Sequence, residues 1–228
     1  MFNNNKILGI IPARRGSKRI KDKNKTVLAG KPLITHTITE AMKSKYIDQV
    51  VLSTDDSDII SIGIEYGIQE SINRPAELAV DNTSGIAVVH HILKLYSDFQ
   101  LVVLLQPTSP LRIVNDIDGA IEKMISLDAP ACISVSELQK SPYWIYNINS
   151  DQKLISFFEK NIEEQKNNKA YIINGAVYVA KTDWLIDKKS FLSEETIGYT
   201  MPIERSIDID EKIDLEYAEF LMSLKKHT

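Results

Sequence analysis

At 228 residues, 43% of them hydrophobic and 25% charged, the chain has the composition of a globular domain large enough to bury a core. Its one cysteine, Cys132, excludes an internal disulfide; there is no Cys/His cluster with zinc spacing and no apolar run near the ~20 residues of a bilayer span. The formal net charge is −4, yet seven bases crowd into residues 14–25 beside one acid, Asp22, and outside that stretch 20 bases face 30 acids. Such local positive charge points to a small anion held in a pocket and away from a nucleic acid laid across a face.

MFNNNK leads into apolar residues without a signal-peptide pattern, and a cytoplasmic location is the expectation. Lys6–Ala13 reads as the first strand. The basic loop follows, then a helix in PLITHTITEAMKS with Pro32 in its first turn and Leu33, Ile34, Ile38, Ala41 and Met42 on one face. Next come a strand at Gln49–Thr54, a helix at Ser57–Tyr66 closed by Gly67, a helix at Ser84–Tyr96, a strand at Leu101–Gln106 and a helix at Asn115–Leu127. A strand at Ala131–Val135 ends the regular alternation. From about Glu137 to Ile173, with Pro142, NINSDQ and EEQKNNKAY, the chain reads as an excursion, an insertion or dimerisation arm. A strand at Ala176–Ala180 and a helix at Glu211–Leu224 complete the order. Val- and Ile-rich runs separated by helices imply a doubly wound, mostly parallel α/β sheet buried on both faces. Ligands then sit beyond the carboxyl ends of the strands.

The loop after the first strand therefore lies where a ligand would bind. Gly16 permits close backbone approach, Ser17 adds a hydroxyl donor, Arg14 offers a planar fork to phosphate oxygens, and lysines supply mobile charges. Charges packed this tightly repel one another until an anion neutralises them, and a triphosphate would do so. Neither GxxxxGK[ST] nor GxGxxG is present. Late in the chain, SIDID in extended form would project Asp208 and Asp210 to one side, with Ile207 and Ile209 turned inward. Two such carboxylates suit one Mg²⁺; the plainer alternative is that they favour the start of the last helix. Cys132, in ACISV, reads as a buried structural thiol, and His36, His90, His91 and His227 as structural.

Together, strand and loop, IIPARRGSKRIKDKN, resemble the nucleotide-binding signature of the acylneuraminate cytidylyltransferase family, the CMP-sialic acid synthetases and their relatives. NRPAELAVDNTS resembles the family's RPAELA segment, LLQPTSPLR its LLQPTSPLR motif, and SIDIDEKIDLEYAE its carboxylate-bearing C-terminal motif, so the resemblance runs almost the whole chain. It implies a Rossmann-like nucleotidyltransferase domain over residues 1–228 with a dimerisation arm at 137–173, a homodimer, and Mg²⁺ as cofactor. The implied reaction is attack of the anomeric hydroxyl of a nine-carbon sugar acid on the α-phosphate of CTP. Carried over by residue, Arg14, Ser17, Lys18, Lys23 and Asn24 would hold the triphosphate and nucleotide, and Arg74, Thr83 and Ser84 the cytidine. Gln106, Asn174 and Tyr178 would face the sugar; Asp208 and Asp210 would hold the metal; Lys23, Arg14 and Asp210 would carry catalysis.

Two departures fall in the implied sugar pocket. The family's HPxK is here SPYW, with Trp144 in the lysine's place, and Glu164 stands near where an arginine is usual. Lys160, Lys166 or Lys169 could compensate, and an aromatic face at Trp144 suits a more deoxygenated, legionaminic- or pseudaminic-type acid. One rival is a 3-deoxy-manno-octulosonate cytidylyltransferase or another sugar nucleotidyltransferase; the octulosonate enzymes favour an STRLPGK-like loop where this chain reads GSKRIKDKN, which disfavours them. A second rival, a non-enzymatic nucleotide- or RNA-binding module, leaves the acidic remainder unexplained.

Overall fold

The computed structural model describes residues 5–17, 19–80, 83–158 and 169–225. At its centre lies β1, Ile7–Pro12, flanked in parallel by β4, Gln49–Thr54, and by β6, Leu101–Leu104. Alternate residues of β1 enter two different cores. Ile7 and Ile11 pack with α1, Leu33–Met42, α2, Ser57–Glu65, and α4, Val114–Ser126; Leu8 and Ile10 pack with α3, Gly85–Leu95, and α5, Thr182–Lys188. Burial on both faces is why the run is continuously apolar rather than alternating.

The sheet continues outward through β5, Glu70–Asn73, on one side, and on the other through β10, Tyr171–Lys181, β7, Ala131–Glu137, and β11, Ile197–Thr200. The spatial order is β11-β7-β10-β6-β1-β4-β5. β10 runs antiparallel to both of its neighbours, so the run read as Ala176–Ala180 departs from the parallel expectation although the sheet is mostly parallel. Its chain arrives through the excursion, whose described part is a hairpin, and an antiparallel entry needs no helical crossover. Within that excursion a 3-10 turn, Pro142–Trp144, leads into a hairpin of β8, Tyr146–Ile148, and β9, Leu154–Ser156. β5 and β11 escaped the sequence reading because ESIN and IGYT are short, partly polar edge strands.

A third, smaller core decides where the site forms. Ile20 of the basic loop, Leu28 of the ribbon β2, Val27–Leu28, and β3, Lys31–Pro32, Leu33 of α1, Leu111 of QPTSPLR, Ile209 of SIDID and Ala218 of α6, Lys212–Lys225, bury one another. Ile207, Leu215, Leu221 and Met222 pack against them. Four segments far apart in sequence are thereby gathered at the carboxyl end of β1.

Candidate active site

Connections run in opposite directions from β1 and β6, which makes the crevice between their carboxyl ends the sheet's switch point. A cavity of about 230 Å³ lies there, lined by Arg14, Ser17, Lys23, Asn24, Arg74, Thr83 and Gln106 among others. Seven of the residues expected to bind nucleotide or sugar are thus brought together. Lys18 lies outside the described residues, as do Lys160, Glu164, Lys166 and His227.

The loop is shaped by its own backbone. Asp22 adopts a left-handed conformation at φ 51°, which an Asp tolerates better than most residues, and opens a single 3-10 turn at Lys23–Lys25. The Asn24 side chain donates to the Arg14 carbonyl at 3.2 Å, bracing one arm of the loop against the other. Lys25 is turned away from the cavity and pairs with Asp56 at 3.0 Å and Asp58 at 2.9 Å. Lys23 Nζ donates to the Ile209 carbonyl at 2.6 Å and meets Asp210 Oδ1 at 3.3 Å, while Arg19 Nη1 meets Asp210 Oδ2 at 2.7 Å. The expectation that only a bound anion would relieve the repulsion is therefore corrected: acids of the chain itself neutralise three of the bases.

Arg74, at the end of β5, is buried at 5% exposure and turned inward, donating to the Ser53 hydroxyl at 3.2 Å and the Ser53 carbonyl at 2.7 Å. Burial lowers its pKa to about 10; Asp55 opposes the shift and Arg14 adds to it. Thr83 lines the cavity, whereas the Ser84 hydroxyl oxygen accepts from Ala87 N at 3.3 Å and caps α3.

Gln106 leaves β6 into a loop fixed by Arg112, which the sequence reading had quoted only as a motif letter. Its guanidinium, 2% exposed, donates to the carbonyls of Gln106 at 3.2 Å and Ala176 at 2.6 Å and to the Thr37 hydroxyl at 2.6 Å. Burial pulls its pKa down to about 10, against Asp116 and Glu40. Opposite, Gly175 sits at φ +74° where the β10–β7 register shifts, and a Cβ there would meet Gln106 Oε1 at 3.3 Å, Asp208 Oδ2 at 3.6 Å and Ser109 Oγ at 3.7 Å. The left-handed φ is what favours glycine at this position, and the close Gln106 amide adds a further, milder restriction.

Asn174 does not reach the cavity with a free amide. Its Oδ1 accepts from Ser134 Oγ at 2.6 Å, and its Nδ2 donates to Ser206 Oγ at 2.9 Å, so it ties β10 to β7 and to the segment entering SIDID. Tyr178 is half-buried against Phe191, ring centroids 5.4 Å apart; burial raises its pKa, and nearby Asp208 adds to the shift. Trp144 is 72% exposed in the excursion and is absent from the cavity lining. Lys169 pairs with Glu137 at 2.8 Å. Cys132 is buried, its pKa pushed up to about 11 by burial, as a structural thiol should be.

SIDID follows the alternation read from the sequence. Ile207 and Ile209 face the third core, Asp208 and Asp210 face out, and Ile209 N donates to the Thr108 carbonyl at 2.8 Å. The helix-start role falls instead to Asp214, whose Oδ2 accepts from Asp210 N at 2.9 Å and Glu211 N at 2.7 Å. The crowded cleft raises the Asp208 pKa, chiefly by desolvation and further by Asp210, against a hydrogen bond from Thr108. For Asp210, desolvation works upward, but Arg19 and Lys23 outweigh it and hold the carboxyl below its usual range. The segment's entry is anchored by Arg205, which forks onto buried Asp116 at 2.9 and 2.8 Å; Asp116 also accepts from Ile113 N at the start of α4.

The family model for cytidylyltransferases matches residues 8–225. The chain belongs to the cytidylyltransferase family. This cytidylyltransferase is 37% identical to CMP-N,N'-diacetyllegionaminic acid synthase of Legionella pneumophila, across 97% of this chain and 98% of that one. It is 31% identical to pseudaminic acid cytidylyltransferase of Campylobacter jejuni, across 95% of this chain and 96% of that one. It is 34% identical to N-acylneuraminate cytidylyltransferase of Escherichia coli, across 93% of this chain but only 51% of that protein, about half of its length. In fold it is similar to CMP:2-keto-3-deoxy-manno-octonic acid synthetase solved with CTP, at a TM-score of 0.73 and 18% identity over 96% of this chain and 99% of that one. The membership and the Rossmann-like nucleotidyltransferase fold implied by its motifs are borne out.

Proposed function

We propose that the cytidylyltransferase joins CTP to a nonulosonic acid of legionaminic type, releasing pyrophosphate. The single observation that carries the reading is the meeting of the basic loop with SIDID: Lys23, which lines the crevice, reaches Ile209 and Asp210, 186 and 187 residues away. The legionaminic assignment draws on the full-length relative and on Trp144 in place of the family's lysine.

In the proposed reaction a bond forms between the anomeric oxygen and the α-phosphorus as the bond to the pyrophosphate oxygen breaks, and the hydroxyl proton passes to solvent. Negative charge accumulates on the leaving pyrophosphate. Arg14, Ser17 and Lys23 would stabilise it, placed in advance by the 3-10 turn and the Asn24 brace. Buried Arg74 and Thr83 would confine the nucleoside, and Gln106, held by Arg112 through its own carbonyl, would orient the sugar. Asp208 and Asp210 suit Mg²⁺: both are hard oxygen donors on one side of an extended segment. Among the described residues no cluster of three or more ligand side chains forms, so phosphate and water oxygens would complete the shell. Bound there, Mg²⁺ would supply charge to the α-phosphate and acidify the attacking hydroxyl.

A homodimer is part of the proposal. The excursion exposes Trp144, Ile145, Ile148, Leu154, Ile155 and Phe157, more apolar surface than an arm in water should carry, and a second copy packed on it would give Trp144 a route to a neighbouring sugar pocket. A cytoplasmic setting accords with CTP as substrate; among the described residues no helix is long and apolar enough to cross a membrane. The test is kcat/KM for pyrophosphate release with CTP, Mg²⁺ and a panel of nonulosonic acids. The highest value is expected for a legionaminic-type acid; a highest value for N-acetylneuraminate would contradict that assignment.

A further inference from the structure

Arg19 stands outside the cavity lining, yet it is the closest base to Asp210, with Nη1 2.7 Å from Oδ2. Lys23 meets the other oxygen at 3.3 Å, so each oxygen of the carboxylate already has a cationic partner from the loop. Two positive side chains, Arg19 and Lys23, stand against two negative ones, Asp208 and Asp210. Glu211 and Asp214 add negative charge nearby, so it is the two bases already paired with Asp210 that a lone divalent cation would have to displace.

The two bases differ in freedom. Lys23 is 13% exposed and is also fixed to the Ile209 carbonyl at 2.6 Å, whereas Arg19 is 58% exposed and hydrogen-bonded to Asp210 alone among its described contacts. An exposed ion pair of this kind holds weakly and breaks without repacking a core. A triphosphate entering the same mouth supplies the guanidinium with a stronger, bidentate acceptor. We propose that Arg19 is an exchangeable counter-cation: it covers Asp210 while the crevice lacks nucleotide, then turns onto the phosphates and frees that carboxylate for the metal. The metal then enters with the nucleotide and not before it. This inference rests on the metal assignment above and makes Arg19 a positioning residue for it.

The test uses the full chain and Mn²⁺ followed by electron paramagnetic resonance, first without nucleotide and then with CTP, with circular dichroism confirming that each variant is folded. Without nucleotide, Arg19→Gln should bind Mn²⁺ about two- to five-fold more tightly than the wild type, the range an exposed ion pair allows. Arg19→Lys, which keeps the charge, should stay near the wild type, and metal-free CTP binding should weaken in Arg19→Gln. A purely structural Arg19 would not tighten metal binding on removal. Equal or weaker Mn²⁺ binding by nucleotide-free Arg19→Gln would overturn the proposal alone. Unchanged Mn²⁺ binding by Asp210→Asn in the CTP complex would overturn the metal assignment, and the proposal with it.

Discussion

Lys23 is the side chain on which the two halves of the crevice converge, since one ammonium reaches both the Ile209 carbonyl and the Asp210 carboxylate. Replacing it with alanine should lower kcat/KM for CTP by about 10²–10³-fold, the loss seen when one preorganised charge donor is removed. The melting temperature should fall by no more than about 2–4 °C, the cost of about one hydrogen bond when the Ile209 carbonyl loses its donor; a larger fall would make Lys23 structural. Its partner loop residue Lys25 tells a different story. Desolvation works to raise the Asp56 pKa, but Lys25 and the backbone of α2 prevail and hold the carboxyl below the ordinary aspartate range. A depressed carboxyl stabilises the fold above its unfolded pKa and loses that contribution as pH falls through the folded value. Urea unfolding followed between about pH 5 and pH 2 should therefore show a shallower loss of stability in Lys25→Met than in the wild type.

Among elements, the segment from Arg205 to Asp210 is held by devices that no periodicity announces. Arg205 forks onto an Asp116 that has no solvent access, and Asn174 grips Ser206 from β10. Arg205 is a quarter exposed and Asp116 keeps its bond from Ile113 N, so removing the guanidinium costs about 1–3 kcal/mol, the loss of charge-assisted hydrogen bonds to a buried acceptor. Arg205→Met should cost that much in chemical denaturation and should also raise KM for CTP, because SIDID would lose its anchor; an unaffected KM would show that SIDID is held by the third core alone. Most strands and helices around these devices were legible, since Gln49–Thr54 and α1, α2, α3, α4 and α6 follow plain apolar patterns, whereas the short α5, Thr182–Lys188, escaped the reading. The direction of β10 was not, because burial on both faces gives parallel and antiparallel strands the same apolar signature. Nor was the engagement of Asn174: NGA reads equally as a ligand or a turn until Ser134 and Ser206 are placed beside it.

At the scale of the molecule, the resemblance already joined the basic loop and SIDID in one site, but the packing that brings them together was not legible. Ile20, Leu111 and Ile209 each look like ordinary apolar residues in loops, and only the third core shows that they pull the basic loop, QPTSPLR and SIDID to one place. The exposed apolar arm bears on assembly: sedimentation should find a dimer, and Trp144→Ala with Phe157→Ser should weaken it, whereas a monomer at all concentrations would leave Trp144 without a route to the sugar. The central claim is that loop and carboxylates form one catalytic crevice. Pyrophosphate release from CTP with Mg²⁺ and a legionaminic-type acid, measured for the wild type and for Asp208→Ala and Asp210→Ala shown folded by circular dichroism, tests it most directly. Turnover by the wild type and a loss of about 10²-fold or more in each variant is expected; no release with any nonulosonic acid, or undiminished release by both variants, would contradict it.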